Sequence, residues 1–492
     1  MNVKTLLTAG GMISSALCTS AETAQKPNIL WIYVEDQSPL FSCYGVDYNQ
    51  TPTIDKLAKD GVIFKRAFMP SPVCSPTRSS LITGRMNTTI GAHNHRSARS
   101  SAHEIHLPEG TKTIPEMFKD AGYLTFNYGK DDYNFTYNRT DLFDGKFKPN
   151  MKQGHKGAKI DWTACKPGQP FFGQIQLWGG KNKGKITSMD PAKAELPPYY
   201  VDVPEIRKEW AHHYDTARIT DREVKEIIDK MRKDGVLQNT IVFFFSDHGY
   251  NYGLRHKQFC YDGGLHVPFT VTWYGNPKAI TTLGKVRNDL VNGLDISASS
   301  LALAGLKVPD YLESKNLFDK AYKRDFVIGT RDRCDFTIDR IRTVRTDKFR
   351  YIKNFMTDRP LMQPQYRDKQ PNIKLQRKLF EEGKMNKVQA ELYNPVRIPE
   401  ELYDIENDPH QINNLVNDPE YKAQLEKHRQ ILDKWIKETD DKGQYPEPKA
   451  ELALMKKWWG KQCVNPEYDG IESSSGANES KKGKKKKKKG KK

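Results

Sequence analysis

Cys74-Ser75-Pro76-Thr77-Arg78, followed by Ser79-Ser80-Leu81-Ile82-Thr83-Gly84-Arg85, brings together residue types that suit an anionic ester. Pro76 fits the first turn of a helix, where its missing N–H costs nothing, and Gly84 can close the helix. Cys74 then stands at a helix N-terminus, where backbone N–H groups and the dipole favour an anion. Arg78, one turn on, offers a planar fork matched to sulfate or phosphate oxygens. A lone cysteine is more often core filling, so the setting carries the reading.

Two further segments supply clustered charge. Ile29 to Val34 is apolar and ends in Glu35-Asp36; Phe243-Phe244-Phe245 leads into Ser246-Asp247-His248-Gly249. Strands ending this way place carboxylates at one sheet edge, where they repel unless a cation lies between them. Such hard oxygen ligands suit Ca²⁺ or Mg²⁺ better than Zn²⁺. For each pair taken alone, a cap or turn role is the commoner fate.

The elements that must position these groups alternate. Asn28 to Val34, Val62 to Phe68, Tyr123 to Tyr128, Phe171 to Leu177, Thr240 to Phe245 and Val267 to Trp273 read as strands. Helices are expected from Thr51-Pro52 to Gly61, at Cys74, over Thr113 to Asp120 and over Pro204 to Lys233. The pattern predicts an α/β fold, a mostly parallel or mixed central sheet sandwiched by helices, with functional loops at the strands' carboxyl ends. After about residue 325 the texture changes. Ile338 to Thr346 and Phe349 to Phe355 look like a two-strand ribbon, Asp358 to Val396 is basic and rich in Gln and Pro, and Pro419 to Glu438 reads as a helix. The expected organisation is a leader over residues 1–21, a catalytic domain over 22–325, a smaller α+β subdomain over 326–470 and a disordered tail over 471–492.

Met1 to Ala21, with an apolar run from Leu6 to Leu17 and small residues at Thr19, Ser20 and Ala21, reads as an export signal. Export implies the periplasm, the cell surface or secretion; lipidation at Cys18 is the minority alternative, since Leu17 matches poorly. The net charge of +18 is inflated by ten lysines after residue 480, without which +8 remains. No aromatic residue interleaves these lysines, so no specific nucleic-acid partner is expected. The tail reads as a non-specific tether to anionic polymers or surfaces. Seven cysteines at wide spacing contain no Cys-x-x-Cys pair; one or two disulfides are compatible with export but cannot be assigned.

Over roughly residues 27 to 420 the chain resembles the type I sulfatases of the alkaline phosphatase superfamily. The likeness rests on Cys74-x-Pro-x-Arg78 with Thr83-Gly84-Arg85, the acidic strand ends, Lys257, the turn Tyr261-Asp262-Gly263-Gly264-Leu265-His266-Val267-Pro268, and Glu401-Leu402-Tyr403-Asp404 with Asp408-Pro409 and Asn414-Leu415. The resemblance implies an exported sulfuric ester hydrolase. In it Cys74 is oxidised to formylglycine (3-oxoalanine) by a separate maturation enzyme, either formylglycine-generating or radical, and the aldehyde hydrate attacks sulfur. It implies one Ca²⁺ held by Glu35, Asp36, Cys74, Asp247 and His248. Arg78, Lys130 and Lys257 neutralise charge on the sulfate oxygens, and His248 or Lys257 is the general acid.

Three positions depart from the family pattern. Glu35 replaces the usual Asp. Asp132 stands where Gly129-Lys130 predicts a histidine, and Trp178 follows Leu177 where another is expected. His93, His95, His103, His212, His213, His256 and His266 are candidate substitutes, and Asp132, His93 and His95 are candidate substrate contacts. The resemblance extends to bacterial heparan N-sulfatase relatives and to enzymes acting on algal polysaccharides, so a sulfated glycan of ulvan, carrageenan or heparan type is the expected substrate, with polysaccharide breakdown as the role. The alternatives are a phosphomonoester or phosphonate hydrolase on the same fold, and a catalytically impaired sulfated-glycan binder. The intact Cys74, Arg78, Asp247 and Lys257 set argues against the last.

Overall fold

A computed structural model describes residues 25–101, 103–144, 161–182 and 188–473. The export signal, Cys18 and the lysine-rich tail lie outside the described residues.

Seven strands form the central sheet in the order Leu124–Tyr128, Phe171–Leu177, Asn28–Val34, Thr240–Ser246, Phe269–Trp273, Val62–Phe64, Val286–Arg287. All run one way except Phe269–Trp273, which is antiparallel to both neighbours. Asn28–Val34 is apolar throughout because it is buried on both faces. Its alternate side chains feed two layers. Ile29, Trp31 and Tyr33 meet Leu81, Ile82, Phe118, Ile296 and Leu301 on one face. Leu30, Ile32 and Val34 meet Val224, Ile227, Ile228 and Met231 of the Pro204–Lys233 helix on the other. Helices therefore cover both faces, as the alternation predicted.

Register is what builds the site. Val34 pairs with both Leu177 and Ser246, so the next residues on all three strands emerge at one edge. The N–H of Glu35 donates to Leu177 O at 3.1 Å, and that of Asp247 to Val34 O at 3.1 Å. Tyr128 pairs with Ile175, which delivers Gly129-Lys130 to the same edge.

Several expectations are corrected. Val62 to Phe68 is not one strand: Val62–Phe64 joins the large sheet, and Ala67–Phe68 joins a small sheet with Val291–Asn292 and His266–Val267. Val267 to Trp273 breaks at Pro268, which has no N–H to continue a ladder. The two-strand ribbon is the inner pair of a four-stranded antiparallel sheet whose outer strands are Val327–Arg331 and Glu400–Asp404. Leu425 and Leu432 of the Lys422–Thr439 helix pack on that sheet. The basic stretch contains a helix, Pro371–Glu381, opened by proline at its first position. A further helix, Lys449–Trp459, was not anticipated.

The carboxyl-terminal part is fastened by buried arginine pairs. Arg342 makes a bidentate contact with Asp441, Nε at 2.7 Å and Nη2 at 2.9 Å. Arg333 does the same with Glu447, at 2.6 and 2.7 Å. All six described cysteines are free thiols. No helix among the described residues is long and apolar enough to cross a membrane.

Candidate active site

Cys74 opens the helix Cys74–Thr83, all ten residues of which are buried. Val73 before it is extended, and Gly84 ends the helix in the left-handed region at φ 64°. Cys74 Sγ lies 3.3 Å from His248 Nε2, 3.3 Å from Lys257 Nζ and 4.0 Å from Lys181 Nζ. Burial alone would push the thiol up. Lys130, Lys181 and Lys257 override it and hold Cys74 well below the usual thiol range.

Asp36 takes the left-handed conformation, φ 57°, which is uncommon for a residue with a side chain. Its N–H donates to Asp247 Oδ1 at 3.0 Å. Its carboxylate meets His248 Nε2 at 2.9 Å and accepts from Lys257 at 3.0 Å. Despite burial, Lys181, Lys257 and His248 hold it far down. Burial pushes Asp247 up, against the pull of His248 and Arg78. His248, lowered by burial, is raised to about 9 by Asp247 and Asp36.

Glu35 is used differently. Its carboxylate accepts from Arg78 at 2.8 Å, from Lys130 at 2.8 Å and from Lys181. Arg78 is wholly buried, with Tyr33 under its guanidinium at 4.5 Å and Asp247 at 3.4 Å. Arg78 thus locks two carboxylates in place. Removing either partner of such a pair typically costs about 3–5 kcal/mol.

The ligand-forming atoms of Asp36, Cys74, Asp247 and His248 lie within 4.8 Å of one another, all buried. Two carboxylates, an imidazole and position 74 fit a divalent cation with hard oxygen preference, Asp36 and Asp247 being its natural holders. Glu35, expected among the ligands, is not in this group; its oxygens are taken by three cations.

Lys181 was missed by sequence reasoning. A histidine was sought directly after Leu177, but the chain continues Trp178-Gly179-Gly180-Lys181. A Cβ on Gly179 would lie 2.3 Å from Glu35 O, and one on Gly180 1.9 Å from Asp36 O. The glycine pair lets the turn lie flat against Glu35-Asp36 and delivers the ammonium to both carboxylates. That Gly-Gly pair was the available signal.

On the loop side, Asp132 sits at φ 57° and accepts from Lys130 at 3.1 Å and Arg99 at 3.0 Å. Against burial, Lys130 and Arg99 keep it ionised. His95 is brought to it: Cys74, His95 and Asp132 form a second group with ligand atoms within 4.8 Å. His93 is not brought there; its charged neighbours are Asp332, Arg342, Asp441 and Glu447. The other candidate histidines are engaged elsewhere: His103 with Glu451, His212 with Asn182 O, His213 stacked on Tyr250, His256 with Leu254 O and His266 with Lys65 O.

A family model described as Sulfatase matches residues 27–171 and 183–306, more than half of the chain. An ulvan-active sulfatase of Formosa agariphila is 27% identical over 499 residues, covering 92% of this chain and 81% of that protein. A solved 2-O GAG sulfatase superposes with TM-score 0.58 at 19% identity, covering 86% of this chain and 94% of the other. A phosphonate monoester hydrolase of Agrobacterium radiobacter superposes at 0.61 with 16% identity, covering 84% and 96%. These superpositions establish a shared fold.

Proposed function

Since the chain belongs to the sulfatase family and is a sulfuric ester hydrolase, we propose that it removes sulfate from a sulfated carbohydrate, using formylglycine at position 74 and a bound Ca²⁺. The observation that carries this is the convergence of Lys130, Lys181 and Lys257 on a buried Cys74 beside the Asp36–Asp247–His248 group. A sulfate monoester is a compact anion, and a dry pocket of fixed cations binds its developing charge more strongly than water does. The ulvan-active and GAG-directed names of related proteins support a polysaccharide or its oligosaccharides as substrate.

When bound, Ca²⁺ supplies Lewis-acid polarisation of a sulfate oxygen, and the hydrated aldehyde supplies an oxygen nucleophile at position 74. The chain's own residues do the rest. Arg78 fixes Glu35 and Asp247, so the acidic edge keeps its shape. Lys130, Lys181 and Lys257 orient the sulfate by their N–H donors. The all-buried Cys74–Thr83 helix excludes water behind position 74. The amino-terminal apolar segment supports export to the periplasm, cell surface or medium, and maturation of Cys74 requires a separate enzyme.

The test is mass spectrometry of the peptide spanning residue 74, then sulfate release from ulvan, carrageenan and heparan fragments. Loss of sulfur with gain of an aldehyde, and turnover abolished in Cys74→Ala, is expected. Paired aryl sulfate and aryl phosphate assays separate this reading from a phosphoester hydrolase. An unmodified thiol in fully active protein from its native host would sink the proposal.

A further inference from the structure

Among the described residues His95 belongs, with Cys74 and Asp132, to a second group around position 74, separate from Asp36, Asp247 and His248. It is buried, and its backbone N–H donates to Arg333 O at 2.9 Å. Nδ1 faces Asp335 Oδ2 at 3.5 Å and Cys334 Sγ at 3.7 Å. Tyr366 stacks on the ring with centroids 6.5 Å apart. Asp335 is wholly buried and also takes Arg96 at 3.0 Å. The imidazole is therefore held from one side. Nε2 makes no hydrogen bond among the described residues, and it is the nitrogen left for a substrate.

Resting on the sulfate-ester reading above, we propose that His95 donates the proton to the leaving oxygen, with Asp335 as its positioning residue. The imidazole that a Gly-Lys-x-His turn would carry has been exchanged for Asp132, and the loop after the nucleophile helix supplies another in its place. Asp132 cannot serve as the donor, because Lys130 and Arg99 keep it ionised. Lys257 is engaged by Asp36, which accepts from it at 3.0 Å, and lies 3.3 Å from position 74 itself. His248 is taken by Asp36 and Asp247. Burial lowers His95, but Asp335 raises it well above an ordinary histidine, so it carries its proton at neutral pH. In the step, a hydroxyl oxygen of the hydrate at position 74 would give its proton to solvent and bond to sulfur as the bond from sulfur to the leaving oxygen breaks. The electron pair stays on that oxygen, which takes the proton from Nε2. The neutral imidazole regains a proton from water.

The experiment compares wild type, His95→Gln, His95→Ala and Asp335→Asn, each checked by mass for the aldehyde at residue 74. Sulfate release is measured from phenyl sulfate and para-nitrophenyl sulfate. A proton donor matters most for the poorer leaving group, so His95→Gln should lose about 10²-fold or more on phenyl sulfate and under about tenfold on para-nitrophenyl sulfate. Asp335→Asn should show the same dependence to a smaller degree. Added imidazole should restore part of the rate of His95→Ala on phenyl sulfate. Release by wild type with an equal loss on both esters in His95→Gln, or with no loss, overturns the role of His95 alone. A matured wild type that releases no sulfate from these esters or from sulfated glycans overturns the sulfatase reading along with it.

Discussion

Lys257 Nζ lies 3.3 Å from Cys74 Sγ, at a sheet edge where Asp36 holds the same ammonium at 3.0 Å. The lysine is the hinge between the acidic group and the reacting position. In matured protein, Lys257→Met should lower kcat by about 10²–10³-fold. In protein still carrying the thiol, the same change should move thiolate formation at Cys74 to higher pH. That is read as ultraviolet absorbance against a Cys74→Ser control. An unmoved titration would show that Lys257 does not govern position 74.

Lys181 carries a different expectation. It reaches Glu35 and Asp36 from a turn at the rim, with its side chain 20% exposed. Lys181→Met should cut sulfate release by about 10²-fold while the melting temperature stays close to wild type, because Arg78 and Lys130 still compensate Glu35. Lys181→Arg should keep more activity than Lys181→Met. Full turnover in Lys181→Met would reduce Lys181 to a counter-ion.

The Asp36–Asp247–His248 group should show itself by ligand linkage. Calcium at 100 times its Kd should add about 2.7 kcal/mol to the stability of the folded chain. Asp247→Asn should remove most of that gain. A calcium-induced rise in melting temperature that survives Asp247→Asn would place the ion elsewhere.

Arg342 and Asp441 are both wholly buried and bind each other bidentately. Arg342→Met alone should destabilise by about 3–5 kcal/mol, since it leaves the buried carboxylates of Asp441 and Asp332 without their shared partner. Arg342→Met with Asp441→Leu should recover a large share of that loss. Urea unfolding of the three proteins decides it; additive losses would count against coupling.

His256 gives a pH signature away from the acidic group. Burial lowers it from 6.5 to about 4. The unfolded chain therefore takes up a proton before the folded one does. The stability contributed by this group is complete above pH 6.5 and is lost as pH falls through 4. The two-and-a-half-unit gap sets a ceiling of about 3 kcal/mol. Wild type should lose stability between pH 6.5 and 4.5 more steeply than His256→Gln. Parallel curves would acquit His256.

The strand ends were legible because each is an apolar, β-rich run stopped by polar residues: Phe171–Leu177 and Thr240–Ser246 have the bounds such runs predict to within a residue. The break inside Val62 to Phe68 was not, because a turn at Lys65-Arg66 between two apolar pieces looks like a polar face of one strand. The acidic group and the Cys74 helix were visible because local spacing encodes them. Lys181 was hidden by the search for a histidine adjacent to Leu177, whereas a two-glycine turn moves the functional side chain three residues on. His93 and His95 could not be separated along the chain. They lie two residues apart in a loop, and only its docking on Arg333 and Asp335 decides which imidazole meets position 74.

The loop that carries His95 is held by residues far along the chain. Glu451 accepts from the N–H of Ala98 at 3.2 Å and contacts His103 at 3.0 Å, while Glu447 clamps the Arg333 whose carbonyl holds His95. Glu451 lies 353 residues beyond Ala98 and 348 beyond His103, so a growing chain presents the loop long before its braces. Shortened versions that end with the region matched by the family model would keep the nucleophile helix, the acidic edge and the Asn134 and Ser75 contacts of this loop, but would lose its anchors on Arg333, Asp335, Glu447 and Glu451.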